Sequence, residues 1–149
     1  MIKIKIIFIS LIFLLANCGF SPIYVKNTNN NFSKENVIYN GDRELNNFLK
    51  TNLNQYKNEE ANKKVYIEAI SKYEKVILTK NTVGKVTNYK LTAKVTFLIK
   101  STDRKINIIE ERVINTMNDK FEEARKEKAI KQSFASSISK KLVSELVIN

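Results

Sequence analysis

Residues 88 to 99 alternate between apolar and polar side chains, and this run constrains the fold more than any other stretch of the sequence. Its apolar set is Tyr89, Leu91, Ala93, Val95, Phe97 and Ile99, and its polar set is Asn88, Lys90, Thr92, Lys94 and Thr96. Successive side chains of a β-strand point to opposite faces of the sheet. The run therefore predicts a strand with one buried face and one face in contact with water.

Three further strands are predicted around this one. Val37–Tyr39 is a short apolar run, and residues 64–78 begin with Val, Ile and Ala at alternate positions. Residues 106–115 are rich in isoleucine at similar spacing. Residues 79–84 and 101–105 are polar and are predicted to be the connecting loop and turn.

Two helices are predicted from apolar residues spaced three and four apart. The first covers residues 43–56, with Asp42 as its N-cap. The second begins after Asn118 and Asp119, and its apolar stripe is Ile130, Phe134, Ile138, Leu142 and Leu146. A spacing of four drifts around a helix of 3.6 residues per turn. Either the whole stripe belongs to the core, or one end of it contacts something other than the sheet.

The order of these elements predicts an α+β fold. We expect a four-stranded, mostly antiparallel sheet with two helices packed on one face. The opposite face would be relatively polar, with Lys90, Thr92 and Lys94 along its third strand.

The first eighteen residues indicate export. Lys3 and Lys5 precede an apolar run from Ile6 to Leu15, which is short for a bilayer span and typical of a secretory signal. The run ends at Leu-Ala-Asn-Cys18, which resembles a bacterial lipobox. That resemblance implies a signal peptide over residues 1–17 and a diacylglycerol and an N-acyl chain on Cys18. A buried N-terminal helix, or a signal without lipidation, is the alternative.

The mature chain would then have two parts. Residues 18–35 are rich in asparagine and contain the single proline, which is typical of an extended tether. Residues 36–149 would form the α+β domain.

The composition argues against an enzyme. The chain has no histidine and one cysteine, so the commonest general base and the cysteine-based metal sites are absent. Adjacent carboxylates occur at Glu59–Glu60, Glu110–Glu111 and Glu122–Glu123. The second pair would point to opposite faces of a strand, and the third is more simply a solvated helix start. We expect no catalytic residue, no metal and no cofactor beyond the lipid on Cys18.

The net charge of +11 favours an anionic partner. Lys80 and Lys85 flank one predicted hairpin loop, and Arg104 and Lys105 end the next turn. These four residues are candidates for binding the phosphates of an anionic lipid. A basic surface that is merely solvated is the alternative. Because export removes the chain from the cytoplasm, nucleic acid is not an expected partner.

The mature chain resembles the LptE family of lipopolysaccharide-assembly lipoproteins, particularly its alphaproteobacterial members. The similar segments are Cys18–Tyr24 (CGFSPIY), Gly41–Arg43, Tyr89–Val95 and Glu122–Leu142. The resemblance implies two helices on a four-stranded sheet. It also implies a plug inside the outer-membrane β-barrel LptD that assists barrel assembly and lipopolysaccharide transport, with lipopolysaccharide as a bound partner. Gly19 in place of an aspartate implies delivery to the outer membrane.

Two other classes stay open at this point. One is an outer-membrane lipoprotein that acts as a scaffold or adaptor without binding lipopolysaccharide. The other is a periplasmic enzyme, which would need a pocket that holds carboxylates or tyrosines with perturbed pKa values.

Overall fold

The computed structural model describes residues 32–56 and 63–147, so Cys18 and the predicted signal peptide lie outside the described residues. Four strands and two helices follow one another along the chain. They are β1 (Phe32–Gly41), α1 (Arg43–Asn54), β2 (Lys63–Lys80), β3 (Val86–Ile99), β4 (Arg104–Asn115) and α2 (Lys120–Val147). The predicted α+β class is confirmed.

The sheet has the order β1-β2-β3-β4. β1 runs parallel to β2, with Gly41 opposite Ser71, and the other two pairings are antiparallel. β1 begins at Phe32, so its first residues fall within the segment predicted as tether. β2 extends two residues further than predicted, to Lys80.

Gly41 marks the point at which the chain leaves the sheet for α1. Its φ is +102°, and a Cβ built there would lie 1.8 Å from the carbonyl oxygen of Ser71. The next residue donates its backbone N–H to the same oxygen at 3.2 Å. That residue, Asp42, is the N-cap as predicted, because its Oδ1 accepts the Leu45 N–H at 2.7 Å.

Both helices cover the same face of the sheet. The core is formed by alternate residues of the strands and by one face of each helix. In β3 the buried set is the predicted one, from Leu91 to Ile99, with Tyr89 half-buried at its start. In α2 the buried apolar residues include Ile130, Phe134, Ile138 and Leu142. Because Leu146 also packs against this core, the whole stripe is core, which is the first of the two predicted alternatives.

Candidate functional site

The four cations predicted to bind an anionic lipid lie at two ends of the molecule. Lys80 ends β2 and Lys85 precedes β3, so both belong to the β2–β3 hairpin. Arg104 and Lys105 begin β4, after the turn that follows β3. β3 has 14 residues, so the two groups are separated by about 45 Å of strand. The structure therefore brings the four together in pairs and does not form one site from all of them.

The tip of the β2–β3 hairpin is organised by Asn81. Its Oδ1 accepts the backbone N–H of Lys85 at 2.8 Å and of Val83 at 3.2 Å. Gly84 closes the loop with φ +78°. Val83 is 83% exposed at the tip. Among the described residues Lys80 and Lys85 have no ion-pair partner, so this hairpin presents two unpaired ammonium groups beside an exposed apolar side chain.

Arg104 has a structural partner at the other end. Its Nη2 lies 2.6 Å from Oε2 of Glu145, and its Nη1 donates to the Glu145 carbonyl at 3.2 Å. The side chain thus ties the start of β4 to the last turn of α2. Lys105 lies on the opposite face of β4 and is exposed. Of this pair, Lys105 is the residue whose charge is available to a ligand.

The outer face of the sheet carries cross-strand ion pairs. Lys90 Nζ lies 2.8 Å from Glu111 on β4, and its hydrogen bond lowers the pKa of that carboxyl. Lys94 approaches Glu74 at 3.9 Å, and Lys72 pairs with the same carboxylate at 2.7 Å. The predicted lysines are therefore in place, and each lies near a glutamate on a neighbouring strand.

Exposed apolar side chains interrupt this polar face. They are Ile38 on β1, Tyr66, Ile70 and Val76 on β2, and Ile109 and Val113 on β4. The predicted polar face is thus a mixed one. Such a surface can contact both polar and apolar groups of a partner.

A buried charged cluster lies between the sheet and the first half of α2. Glu123 is only 5% exposed, and its carboxylate accepts the Met117 N–H at 3.0 Å. Lys75 and Lys120 each donate to it at 3.1 Å. The backbone hydrogen bond and these lysines lower its pKa to about 2, against the effect of burial. The prediction of a solvated helix start was wrong for Glu123. Lys75, which pairs with it, is distant in sequence, so the local pattern did not indicate this burial.

Lys75 and its neighbours extend this cluster. Its Nζ also contacts Glu127 at 2.8 Å, and Tyr73 donates its hydroxyl to Glu127 at 3.0 Å. Burial lowers the pKa of Lys75, but its two carboxylate partners outweigh this and raise it. Lys131 binds Glu44 of α1 at 2.7 Å and lies 4.1 Å from the centre of the Tyr73 ring. Each charged side chain in this cluster has a partner within the fold. The cluster therefore fixes α2 on the sheet, and none of its charges is left unpaired for a ligand.

A groove of about 550 Å³ lies between the two helices. Small and polar side chains line it: Asn52, Ala129, Gln132, Ser133, Ser136, Ser137 and Lys140. Hydroxyl and amide groups of this kind can hydrogen-bond a partner.

The described residues hold no group of three or more His, Cys, Asp or Glu side chains that could bind a metal ion. Within residues 32–56 and 63–147, neither helix is long and apolar enough to span a bilayer. The candidate ligand contacts among the described residues are Lys80 and Lys85 of the β2–β3 hairpin and the exposed side chains of the strands beside them.

Comparison with solved structures finds the same arrangement of strands and helices in bacterial lipoproteins. The rare lipoprotein B of Shewanella oneidensis matches with a TM-score of 0.55 and 13% identity, over 77% of this chain and 94% of that one. Lipoprotein B of Nitrosomonas europaea matches with a TM-score of 0.53 and 13% identity, over 75% and 80%. A minor lipoprotein of Acinetobacter baumannii matches with a TM-score of 0.50 and 17% identity, over 76% and 94%.

No family model matches the sequence, and no curated protein matches it significantly. At this identity the structural likeness establishes the fold. The chain has the α+β architecture found in these three lipoproteins.

Proposed function

We propose that this chain is an outer-membrane lipoprotein of the LptE type that acts as plug and assembly partner of an LptD-like β-barrel. The observation that carries the proposal is the extent of the fold match to the rare lipoprotein B (LptE) family. It covers 94% of the solved Shewanella oneidensis chain. Fold alone does not define function, so two further observations are needed.

The first supporting observation is the N-terminal sequence. The only cysteine of the chain, Cys18, directly follows the apolar run and opens the segment CGFSPIY. A lipid on this residue would hold the domain at a membrane, because each buried CH₂ of an acyl chain contributes about 0.8 kcal/mol and two or more chains anchor stably. The domain would then act from the periplasmic side of the outer membrane.

The second supporting observation is the outer face of the sheet. Its cross-strand pairs, such as Lys90 with Glu111 and Lys100 with Glu68, give a hydrogen-bonding surface on which several charged side chains already have partners. The interior of an outer-membrane β-barrel is polar. A plug with this face can meet such an interior with many of its charges already paired.

Within this proposal, Lys80 and Lys85 are the pair that would bind lipopolysaccharide phosphates. They share one hairpin, are exposed, and lack internal partners among the described residues. Arg104 is held by Glu145, and Lys105 lies at the far end of β3.

The alternative is an outer-membrane lipoprotein that serves as a scaffold or adaptor without binding lipopolysaccharide. One observation favours it: many of the basic side chains are already paired within the fold. Among them are Lys72, Lys75, Lys90, Lys100, Arg104, Lys131 and Lys141. Much of the net charge is therefore less available to anions than the sequence suggests.

Copurification tests the proposal. The full chain with a C-terminal tag is extracted from outer membranes in mild detergent, and bound proteins are identified by mass. A stoichiometric large β-barrel supports the plug assignment, and its loss in Cys18→Ala shows whether anchoring is required. Recovery of the acylated chain without a barrel, from membranes that contain one, would favour the scaffold.

A further inference from the structure

β2 is longer than the strand that pairs with its first half. The pairing with β1 ends where Gly41 lies opposite Ser71, and β2 continues to Lys80. The chain turns into α1 at this point, since Asp42 begins the helix cap. Along the nine residues from Lys72 to Lys80, no described strand pairs with the side of β2 that β1 has left. We call this side the open edge.

Two backbone hydrogen bonds fix which backbone groups line the open edge. The carbonyl of Tyr66 accepts from Lys100 at the end of β3, whereas the carbonyl of Ser71 accepts from Asp42 on the β1 side. Backbone groups alternate in direction along a strand. The N–H and C=O groups of Tyr73, Lys75 and Ile77 therefore point to the open edge.

The side chains along this edge are apolar on both faces. Val76 and Ile77 lie on opposite faces, Leu78 follows at a bulge in the pairing with β3, and each of the three is about half exposed. They are followed by Thr79, which makes Val76–Thr79 a run without charge. An added strand would find backbone partners and apolar neighbours here, as peptide recognition by strand addition requires.

The other free edge of the sheet shows what a protected strand looks like in this molecule. β4 has five charged residues among its twelve: Arg104, Lys105, Glu110, Glu111 and Arg112. Charged side chains are a common means of preventing a strand edge from pairing with another chain. The uncharged run of β2 has no such protection.

The charge around the open edge indicates what kind of strand fits it. Lys80 and Lys85, at the end of the open edge, have no ion-pair partner among the described residues, whereas Lys72, Lys75 and Lys90 are paired with glutamates. A second copy of this chain would bring the same positive charge against itself, whereas an acidic segment would be attracted.

The N-terminal part of the mature chain is a poor occupant for reasons of length. β1 enters the sheet at Phe32, opposite Lys63, and the open edge extends to the far end of β2. That end lies about 55 Å along the strand from the entry point, and residues 18–31 span at most about 45–50 Å when fully extended. Residues 18–31 therefore cannot extend to the far end of β2 and pair with the open edge along its length.

We infer that the open edge of β2 binds an extended, acidic segment of a protein partner by strand addition, with alternate apolar side chains packed against Val76, Ile77 and Leu78. This does not depend on a particular barrel, and only the exclusion of residues 18–31 as the occupant rests on the proposed cleavage before Cys18. The partner is defined by its chemistry: a strand with acidic residues and small apolar residues at alternate positions.

The test uses a fluorescent nine-residue peptide in which Val and Thr alternate between terminal Asp residues, with the full chain in mild detergent. Ile77→Pro removes an edge N–H and leaves the hydrogen bonds to β3 in place. Val113→Pro is the control, because Val113 is 53% exposed and Ile77 52% exposed, and both lie on free edges. We expect saturable binding that Ile77→Pro weakens by about tenfold or more and Val113→Pro leaves unchanged.

Hydrogen exchange gives a second readout. The peptide should slow exchange at the amides of Tyr73, Lys75 and Ile77. If those amides are protected without peptide, the edge is already occupied by this chain or a second copy, and the inference is wrong. Absence of peptide binding at millimolar concentration also overturns it. So does edge-dependent binding of phosphatidylglycerol vesicles in place of the peptide, which would identify the apolar run as a lipid contact.

Discussion

The carboxylate of Glu123 lies 3.1 Å from Nζ of Lys75, although the two residues are 48 positions apart in the chain. This contact joins the start of α2 to the part of β2 that extends past β1. It is surrounded by the Met117 N–H and Lys120, so the carboxylate is fully hydrogen-bonded in a buried position.

Replacing Glu123 with glutamine should lower the free energy of unfolding by about 2–3 kcal/mol, because the buried carboxylate that pairs with Lys75 and Lys120 would lose its charge. Urea denaturation followed by circular dichroism measures this. Glu122→Gln is the matched control, since Glu122 pairs with Arg125 on the helix surface and should change stability by less than about 0.5 kcal/mol. Equal effects of the two substitutions would contradict the assigned burial.

The same carboxylate predicts a pH dependence of stability. The Met117 N–H and the neighbouring lysines lower the pKa of Glu123 from 4.5 to about 2. A group with a lowered pKa in the folded state stabilises the fold above its unfolded pKa. That stabilisation should be lost as the pH falls from about 4.5 to about 2. Urea midpoints across this range should decline less steeply in Glu123→Gln than in the unsubstituted chain, and parallel declines would refute the assignment.

Gly41→Ala should destabilise the chain by about 3 kcal/mol or more, because a methyl group would collide with the Ser71 carbonyl. Gly84→Ala provides a comparison at another positive φ. Nothing lies within 4 Å of a Cβ built at Gly84, so its cost should be only the conformational one of about 1–2 kcal/mol. Thermal denaturation of both variants separates the collision from the backbone strain.

Arg104→Gln and Lys105→Gln should differ although the two residues are adjacent. Loss of the Glu145 ion pair should cost about 1 kcal/mol in the first variant, whereas the second should stay within about 0.5 kcal/mol of the original. Chemical denaturation distinguishes them. A destabilised Lys105→Gln variant would show that its side chain has a structural contact that the fold does not indicate.

Lys80→Glu combined with Lys85→Glu should weaken lipopolysaccharide binding by about tenfold or more while leaving the fold intact. Surface plasmon resonance measures the affinity. Lys50→Glu with Lys140→Glu makes the same change in net charge on the helices and should have a much smaller effect. Unchanged binding in the hairpin variant would remove this hairpin from the proposed site without affecting the barrel partnership.

The sequence predicts the parts of the fold that depend on local patterns. Alternation identifies β3, the spacing of leucines identifies α1, and Asp42 is recognisable as a cap because its preference is local. The position of Asp119 before α2 is similar, since its carboxylate accepts the Phe121 N–H at 2.8 Å.

Features that depend on long-range pairing were not predictable in this way. Phe32–Asn36 lacks an apolar alternation and joins the sheet through its backbone beside Lys63–Tyr66. The burial of Glu123 depends on Lys75, and the separation of Lys80 from Arg104 depends on the antiparallel order of the strands. The loop cations could therefore be named from the sequence, but which of them lie together could not.

The parallel pairing of β1 with β2 also fixes where the chain enters the fold. Phe32 lies beside Lys63, at the same end of the sheet as the turn before β4 and the last turn of α2. The β2–β3 hairpin lies at the other end, 17 residues further along β2 from Lys63 to Lys80, or about 55 Å. The length of one strand thus works as a spacer. The place at which the residues before Phe32 are held therefore sets how far from that place the tip of the hairpin lies.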